Sequence, residues 1–286
     1  MDIKTIGVLG AGTMGNGIAQ VAATVGYNVI MRDIEDRFVE GGLKNINKLL
    51  SKNVEKGKMT EDDKKAILGR IKGTTDMGTM KDADFVIEVV IENIDIKRKV
   101  FAELDELTKP GVILSSNTSS ISITEIANAT KRPDKVVGMH FFNPVPIMRL
   151  IEIIRGYYTS DETVSITLDI AKKMGKETIE VKKDVAGFIV NRLMIPHVVE
   201  AIKLYEEGVA SKEDIDKAAK LGLNYPMGPF ELMDLTGLDI NNYVMDVLYN
   251  ELNKELKWVA PQLLRTMVKA GRLGIKSGKG WYEPKK

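Results

Sequence analysis

This chain has only two histidines, and they stand in different company. His140 lies in GMHFFNPVP (138–146), at the end of an apolar run. Further along, in RLIEII, Glu152 is a lone carboxylate among apolar neighbours. Burying such a group requires a partner, and a histidine is suited to the task. A carboxylate on one imidazole nitrogen fixes the tautomer and stabilises the imidazolium, so the pair can accept and return a proton. A hydrogen-bonded core histidine is the competing reading, and for an isolated His140 it would be the better one. His197, on a helical pattern beside Pro196, has no such company and reads as structural.

A glycine-rich stretch supplies that company. VLGAGTMGNGIAQ carries Gly10, Gly12 and Gly15, with Thr13 and Met14 between the last two. The stretch follows a predicted strand and opens a predicted helix. There, glycines allow a tight turn and close backbone approach, and the helix N-terminus can hold a pyrophosphate. Asp33 ends the next strand about twenty residues on, where an acidic side chain accepts from ribose hydroxyls. Its charge repels a 2′-phosphate and so favours NAD over NADP, a preference that Arg32 beside it blunts. A glycine turn without a ligand is the alternative. A second glycine-rich stretch, GRLGIKSGKGWY (271–282), lacks phosphate-loop spacing and has no helix after it. It reads as a C-terminal turn packing Trp281 and Tyr282.

The elements that must position these residues are legible as an alternation. Short apolar runs at 5–10, 27–31, 83–90, 111–117 and 135–141 read as strands covered on both faces, and amphipathic helical patterns lie between them. That order predicts βαβ units in a Rossmann-type, doubly wound, parallel α/β sheet. His140 then falls at the carboxyl end of a late strand, where such sheets bind ligands, and SSNTSS (115–120) faces the same crevice. Between about 35 and 70 no strand is evident. Two helical patterns there, the second with Thr60 as its N-cap, predict an inserted helical hairpin. Beyond residue 183 the chain reads as helix, with a kink or break expected at Pro196. The predicted division is 1–183 for the sheet domain and 184–286 for an all-α domain.

Composition narrows the function classes. Lys plus Arg (41) nearly balance Asp plus Glu (40), so no global charge draws the chain to nucleic acid or an anionic membrane. Without cysteine, disulfides, thiolate metal sites and a cysteine nucleophile are excluded, and no metal site is expected. The apolar stretch 5–25 is too glycine-rich for a membrane helix and has no basic segment before it. A cytoplasmic protein is the expectation.

Taken together, GAGTMGNGIAQ, RDIEDRFVEGGLKNINK, IENIDIKRKVF, SNTSSISITEIA, GMHFFNPVPIMRLIEII, GFIVNR, YPMGPFELMDLTGLD and GIKSGKGWY resemble the 3-hydroxyacyl-CoA dehydrogenase family over nearly the whole chain. The resemblance implies an NAD-dependent oxidoreductase interconverting (S)-3-hydroxybutyryl-CoA and acetoacetyl-CoA. It implies His140 as catalytic base, Glu152 as its charge partner, Ser119 on the reacting oxygen near the nicotinamide, and Asn191 positioning the same region. Asp33, Glu92, Lys97 and Asn117 match positions that contact NAD, and Asn143 is a supporting polar group in the histidine loop. The hairpin matches the family's acyl-CoA arm. Lys52 and Lys56 there are candidates for the coenzyme A phosphates, with a solvated lysine face as the alternative. The helical domain resembles the family's dimerisation domain and implies a homodimer. Ala186 replaces a proline common in the family, a change expected to loosen the hinge between domains. Two other readings remain open: a 3-hydroxyacid dehydrogenase not using CoA, and a non-catalytic NAD-binding structural or sensory protein.

Overall fold

Eight strands form one sheet in the computed structural model, which describes residues 2–283. They are β1 (Thr5–Leu9), β2 (Asn28–Arg32), β3 (Ile71–Thr74), β4 (Phe85–Glu88), β5 (Ile113–Ser116), β6 (Val136–Phe141), β7 (Leu150–Ile154) and β8 (Glu177–Val181). The spatial order is β3-β2-β1-β4-β5-β6-β7-β8. The order reverses between β1 and β4, the point where doubly wound sheets bind ligands. Each of the five apolar runs forms a strand, and β4, β5 and β6 have no exposed residue.

Three strands go beyond the sequence reading. β3 and β8 are the two edges of the sheet, covered less completely than the centre, with half-exposed residues along them. They therefore lack the continuous apolar signature of a two-faced strand. β7 is RLIEII, whose carboxylate drew attention to chemistry rather than to pairing. The sheet is also not wholly parallel, because β7 runs antiparallel to β6. β7 therefore starts at the sheet edge where β6 ends.

Helices α1 (Thr13–Thr24), α4 (Ile94–Leu107), α5 (Ile123–Ala127) and α6 (Asp161–Lys173) connect strands, and the hairpin is α2 (Asp36–Glu55) with α3 (Glu61–Gly69). Ile46 and Leu50 bury the inner face of α2 against the sheet core, while Lys52 and Lys56 are exposed. Thr60 caps α3 as predicted, accepting from Asp63 N at 3.1 Å, and the Asp63 carboxylate accepts from Thr60 N in return. This sheet unit extends to Asp184, whose carboxylate accepts from Ser122 Oγ (2.6 Å) and Thr124 N (2.7 Å) at the start of α5.

The second unit, Val185–Lys286, contains α7 (Val190–Glu206), α8 (Lys212–Gly222), α9 (Pro229–Thr236), α10 (Leu238–Glu251) and α11 (Gln262–Lys269). No break occurs at Pro196, and α7 runs through it. A proline inside a helix costs ~3 kcal/mol. Ile195, Val198, Val199 and Ile202 are buried on either side of it, and each buried aliphatic side chain contributes about 1.5–3 kcal/mol, which outweighs that cost. The C-terminal turn packs as predicted: Trp281 is buried 4.6 Å from the Phe230 ring, and Asp234 accepts from the backbone N–H of Trp281 (2.7 Å) and Tyr282 (2.8 Å).

Asp216 ties three pieces of this unit together. Its carboxylate accepts from Phe230 N (2.8 Å) and Glu231 N (3.2 Å) in the first turn of α9, and from Tyr282 Oη (2.7 Å). Burial pushes the Asp216 carboxyl above its usual range, and burial together with the adjacent carboxylate raises the Tyr282 phenol. Asp216→Ala leaves these donors without an acceptor. Unmet buried donors cost about 1–3 kcal/mol each, so the variant is expected to lose roughly 2–4 kcal/mol of stability in denaturant unfolding. An unchanged midpoint would refute this account.

Candidate active site

The glycine loop bends α1 onto the end of β1. Gly10 has φ +113°, and a Cβ there would lie 2.6 Å from the Val89 carbonyl oxygen just past β4. A Cβ on Gly15 would collide with the Gly10 carbonyl. Gly12, by contrast, faces open space. The first turn of α1 carries no side-chain cap and no acidic residue, so its N–H groups and positive dipole end remain available to an anion. Gly12 and Thr13 are exposed and Met14 is half-buried beside them. Asp33 braces the loop: Oδ2 accepts from Ala11 N at 2.7 Å and Oδ1 from Ile34 N at 2.7 Å. A carboxylate has about four acceptor sites, so two backbone bonds leave capacity for ribose hydroxyls. Arg32 donates from Nε to the Thr75 carbonyl (3.2 Å). These residues fit a dinucleotide: backbone donors for the pyrophosphate, and an acid rather than a cation for the ribose.

The segment after β5 carries Asn117 and Ser119. Asn117 N donates to the Glu88 carbonyl (2.8 Å), and Asn117 Oδ1 accepts from Phe141 N (2.8 Å), the residue after His140. The Ser119 loop and the histidine strand are thus locked together. Glu92 accepts from Thr118 Oγ1, from Ser119 N at 3.1 Å and from Ser120 Oγ at 3.2 Å. Lys97, at 1% exposure, sits between Glu92 (3.3 Å) and the fully buried Glu88 (2.7 Å). Glu88 also accepts from Ser116 Oγ at 2.6 Å and Val90 N at 2.7 Å. Sequence reasoning missed Glu88. The signal was there, since FVIEVV places a lone carboxylate in an apolar run just as RLIEII does.

His140 and Glu152 stand directly opposite each other on β6 and β7. His140 Nδ1 lies 2.7 Å from Glu152 Oε2, with the carboxylate fully buried and the histidine at 6% exposure. The Phe142 ring packs 4.5 Å from the imidazole. Asn143, exposed, follows and makes a cis bond to Pro144. The next loop is held by a residue absent from the sequence reading. Buried Lys176, whose burial lowers its pKa, donates to the carbonyls of Val145 (2.5 Å) and Met148 (2.7 Å).

Asn191, buried in the first turn of α7, belongs to the helical unit. The half-buried His197 has its ring 5.4 Å from that of Tyr225, and its Nε2 has no hydrogen-bond partner among the described residues. No group of three metal-ligating side chains and no helix long and apolar enough to cross a membrane is found among the described residues.

This fold and this edge define an NAD-binding oxidoreductase. Residues 5–185 match the NAD-binding domain of 3-hydroxyacyl-CoA dehydrogenase, and residues 187–284 match its C-terminal domain. A probable 3-hydroxybutyryl-CoA dehydrogenase of Bacillus subtilis is 48% identical, with 99% of this chain and 98% of that protein covered. The 3-hydroxybutyryl-CoA dehydrogenase of Clostridioides difficile is 46% identical over 97% of this chain and 98% of its own length. The crystal structure of (S)-3-hydroxybutyryl-CoA dehydrogenase from Ralstonia eutropha superposes with a TM-score of 0.94 at 48% identity, covering both chains fully. The chain belongs to the 3-hydroxyacyl-CoA dehydrogenase family.

The glycine geometry is directly testable. Gly15→Ala forces a methyl against rigid backbone, whereas Gly12→Ala meets no protein atom. In NADH titrations followed by fluorescence, Gly15→Ala is expected to abolish binding, while Gly12→Ala keeps the fold and weakens binding only through the nucleotide. Wild-type affinity in Gly15→Ala would contradict this placement of the loop.

Proposed function

We propose that this protein is an NAD-dependent 3-hydroxybutyryl-CoA dehydrogenase in which His140 and Glu152 relay the proton. The observation that carries this reading is the 2.7 Å contact between His140 Nδ1 and a carboxylate with no solvent exposure. With Nδ1 held by Glu152, Nε2 is the nitrogen that exchanges protons. In the oxidative direction it takes the proton of the substrate's 3-hydroxyl as C3 gives up its hydride, and in reduction it returns that proton. Glu152 stabilises the imidazolium that forms and keeps the ring in one orientation. Ser119 hydrogen-bonds the same oxygen. Bound NAD supplies hydride acceptance and donation, and the protein supplies orientation and the proton path. Asp33 and the α1 N-terminus hold the dinucleotide, with Asn117, Asn143, Glu92 and Lys97 around its nicotinamide end.

A coenzyme A thioester is the substrate class that the hairpin favours. Lys52 in the last turn of α2 and Lys56, the residue that caps its C-terminus, lie four apart and are both exposed, suited to phosphates. The rest of the CoA handle offers binding energy remote from the reacting carbon. In the helical unit, Leu193, Leu221, Leu223 and Leu256 are well exposed, which supports a homodimer formed through that unit. A chain without cysteine suits the reducing cytoplasm.

NADH consumption with acetoacetyl-CoA, run beside NADPH and beside free acetoacetate, tests the assignment. Turnover is expected with NADH and the thioester. General acid–base catalysis contributes about 10²–10⁴-fold, so His140→Ala should lose that much in kcat while still binding NADH, and Glu152→Gln roughly a hundredfold. Unchanged turnover in His140→Ala would sink the relay. The double variant Lys52→Ala/Lys56→Ala should raise KM for the thioester with kcat nearly kept, as for lost uniform binding. An unchanged KM would make those lysines a solvated face only.

A further inference from the structure

The Lys97 ammonium is engaged inside the protein by two carboxylates and a backbone carbonyl. Nζ contacts Glu88 Oε1 at 2.7 Å, Glu92 Oε2 at 3.3 Å and the Val90 carbonyl at 3.4 Å. Glu92 Oε1 accepts from Thr118 Oγ1, Ser119 N and Ser120 Oγ. From these contacts we infer that Glu92 is the positioning residue for Ser119, and that Lys97, anchored by Glu88, sets the direction in which Glu92 points. The inference rests on the assignment of Ser119 to the reacting oxygen and names what holds that residue in place.

The physical reason begins with the backbone. β5 ends at Ser116; Asn117 N still donates to the Glu88 carbonyl at the end of β4, but beyond it the segment has left the sheet, and the N–H groups of Thr118 and Ser119 turn to side-chain oxygens. A carboxylate is the strongest local answer, because hydrogen bonds to an ionised acceptor are stronger than those to a neutral one. Charge counting shows why Glu92 rather than Glu88 takes the loop. Two carboxylates share one ammonium, so one negative charge remains uncompensated. The Glu88 side chain has no exposure and holds the closer contact to Lys97, while Glu92 retains 27%. The remaining charge therefore resides on Glu92, where the loop's hydroxyl and amide donors meet it. Lys97 influences a bound nucleotide through this carboxylate and the loop it holds.

The carboxylate cannot be replaced by an amide. Glutamine has the same size, but if its oxygen faces the loop donors, its NH₂ faces the Lys97 ammonium. If it turns round, the loop loses its acceptor. Glu92 is partly exposed, so Glu92→Gln should fold, whereas Glu88→Gln would disturb a fully buried contact and is the poorer probe.

The test combines a double-mutant cycle with amide hydrogen exchange. A misplacement of about 1 Å can cost 10²-fold, so Glu92→Gln is expected to lose roughly 10–100-fold in kcat on acetoacetyl-CoA with NADH. Combined with Ser119→Ala, it should be no worse than Ser119→Ala alone to within about twofold, because Glu92 holds Ser119 by its backbone N–H and acts on the reaction only through the hydroxyl that the second change removes. Exchange in a peptide spanning 117–121 should accelerate in Glu92→Gln. Multiplicative losses in the cycle, or unchanged exchange, would overturn the inference; a purely structural role would lower stability without the non-additivity. Should the wild-type protein fail to turn over the thioester, the functional reading falls, and the exchange measurement alone decides whether Glu92 holds the loop.

Discussion

A carboxylate with no solvent exposure has to be answered inside the protein, and this sheet contains two of them. Glu152 and Glu88 both have zero exposure, and an unmet buried charge costs several kcal/mol. His140 answers one and Lys97 the other. Each pair lies at the edge of the sheet where the parallel strands end, and each fixes the segment that leaves a strand there. The chemistry of this edge follows from how the two charges are satisfied.

The reversal at β7 makes the first pair possible. In an all-parallel continuation, the start of the strand after β6 would lie at the opposite edge. Running antiparallel, β7 instead begins beside the end of β6 and places Glu152 in register with His140. Directly opposite residues on antiparallel strands have Cβ atoms about 4.5–5.5 Å apart, close enough for a short hydrogen bond between an imidazole and a carboxylate. Asn117 then fastens the neighbouring loop to the same strand by accepting from Phe141 N, so Ser119 and His140 share one frame.

Much of this was legible in the residues themselves. The glycine loop and Asp33 could be read because their requirements are local: a positive φ at Gly10, an impossible Cβ at Gly15, an acid at a strand end. His140 with Glu152 could be read because a lone carboxylate in an apolar run demands a partner. The same rule covers Glu88 in FVIEVV, but its partner is a lysine on the following helix, a residue type too common on helix surfaces to single itself out. Lys97 was accessible only through family resemblance, which suggested a cofactor contact. Its internal engagement depends on α4 crossing back over the end of β4, and no spacing in the sequence reports that.

The edge strands mark the other boundary of sequence reasoning. β3 and β8 each have one neighbour in the sheet and partly exposed side chains, so their alternation is diluted by Lys72, Gly73 and Glu180. Their identity depends on what lies next to them rather than on what they contain. Lys176, just before β8, shows the same dependence: an ordinary lysine in the sequence, it is buried because the carbonyls of Val145 and Met148 come round from the histidine loop to meet it. Residues that satisfy a local requirement announce themselves, and residues that satisfy a requirement created by distant backbone do not. The supporting shell of this site consists largely of the second kind.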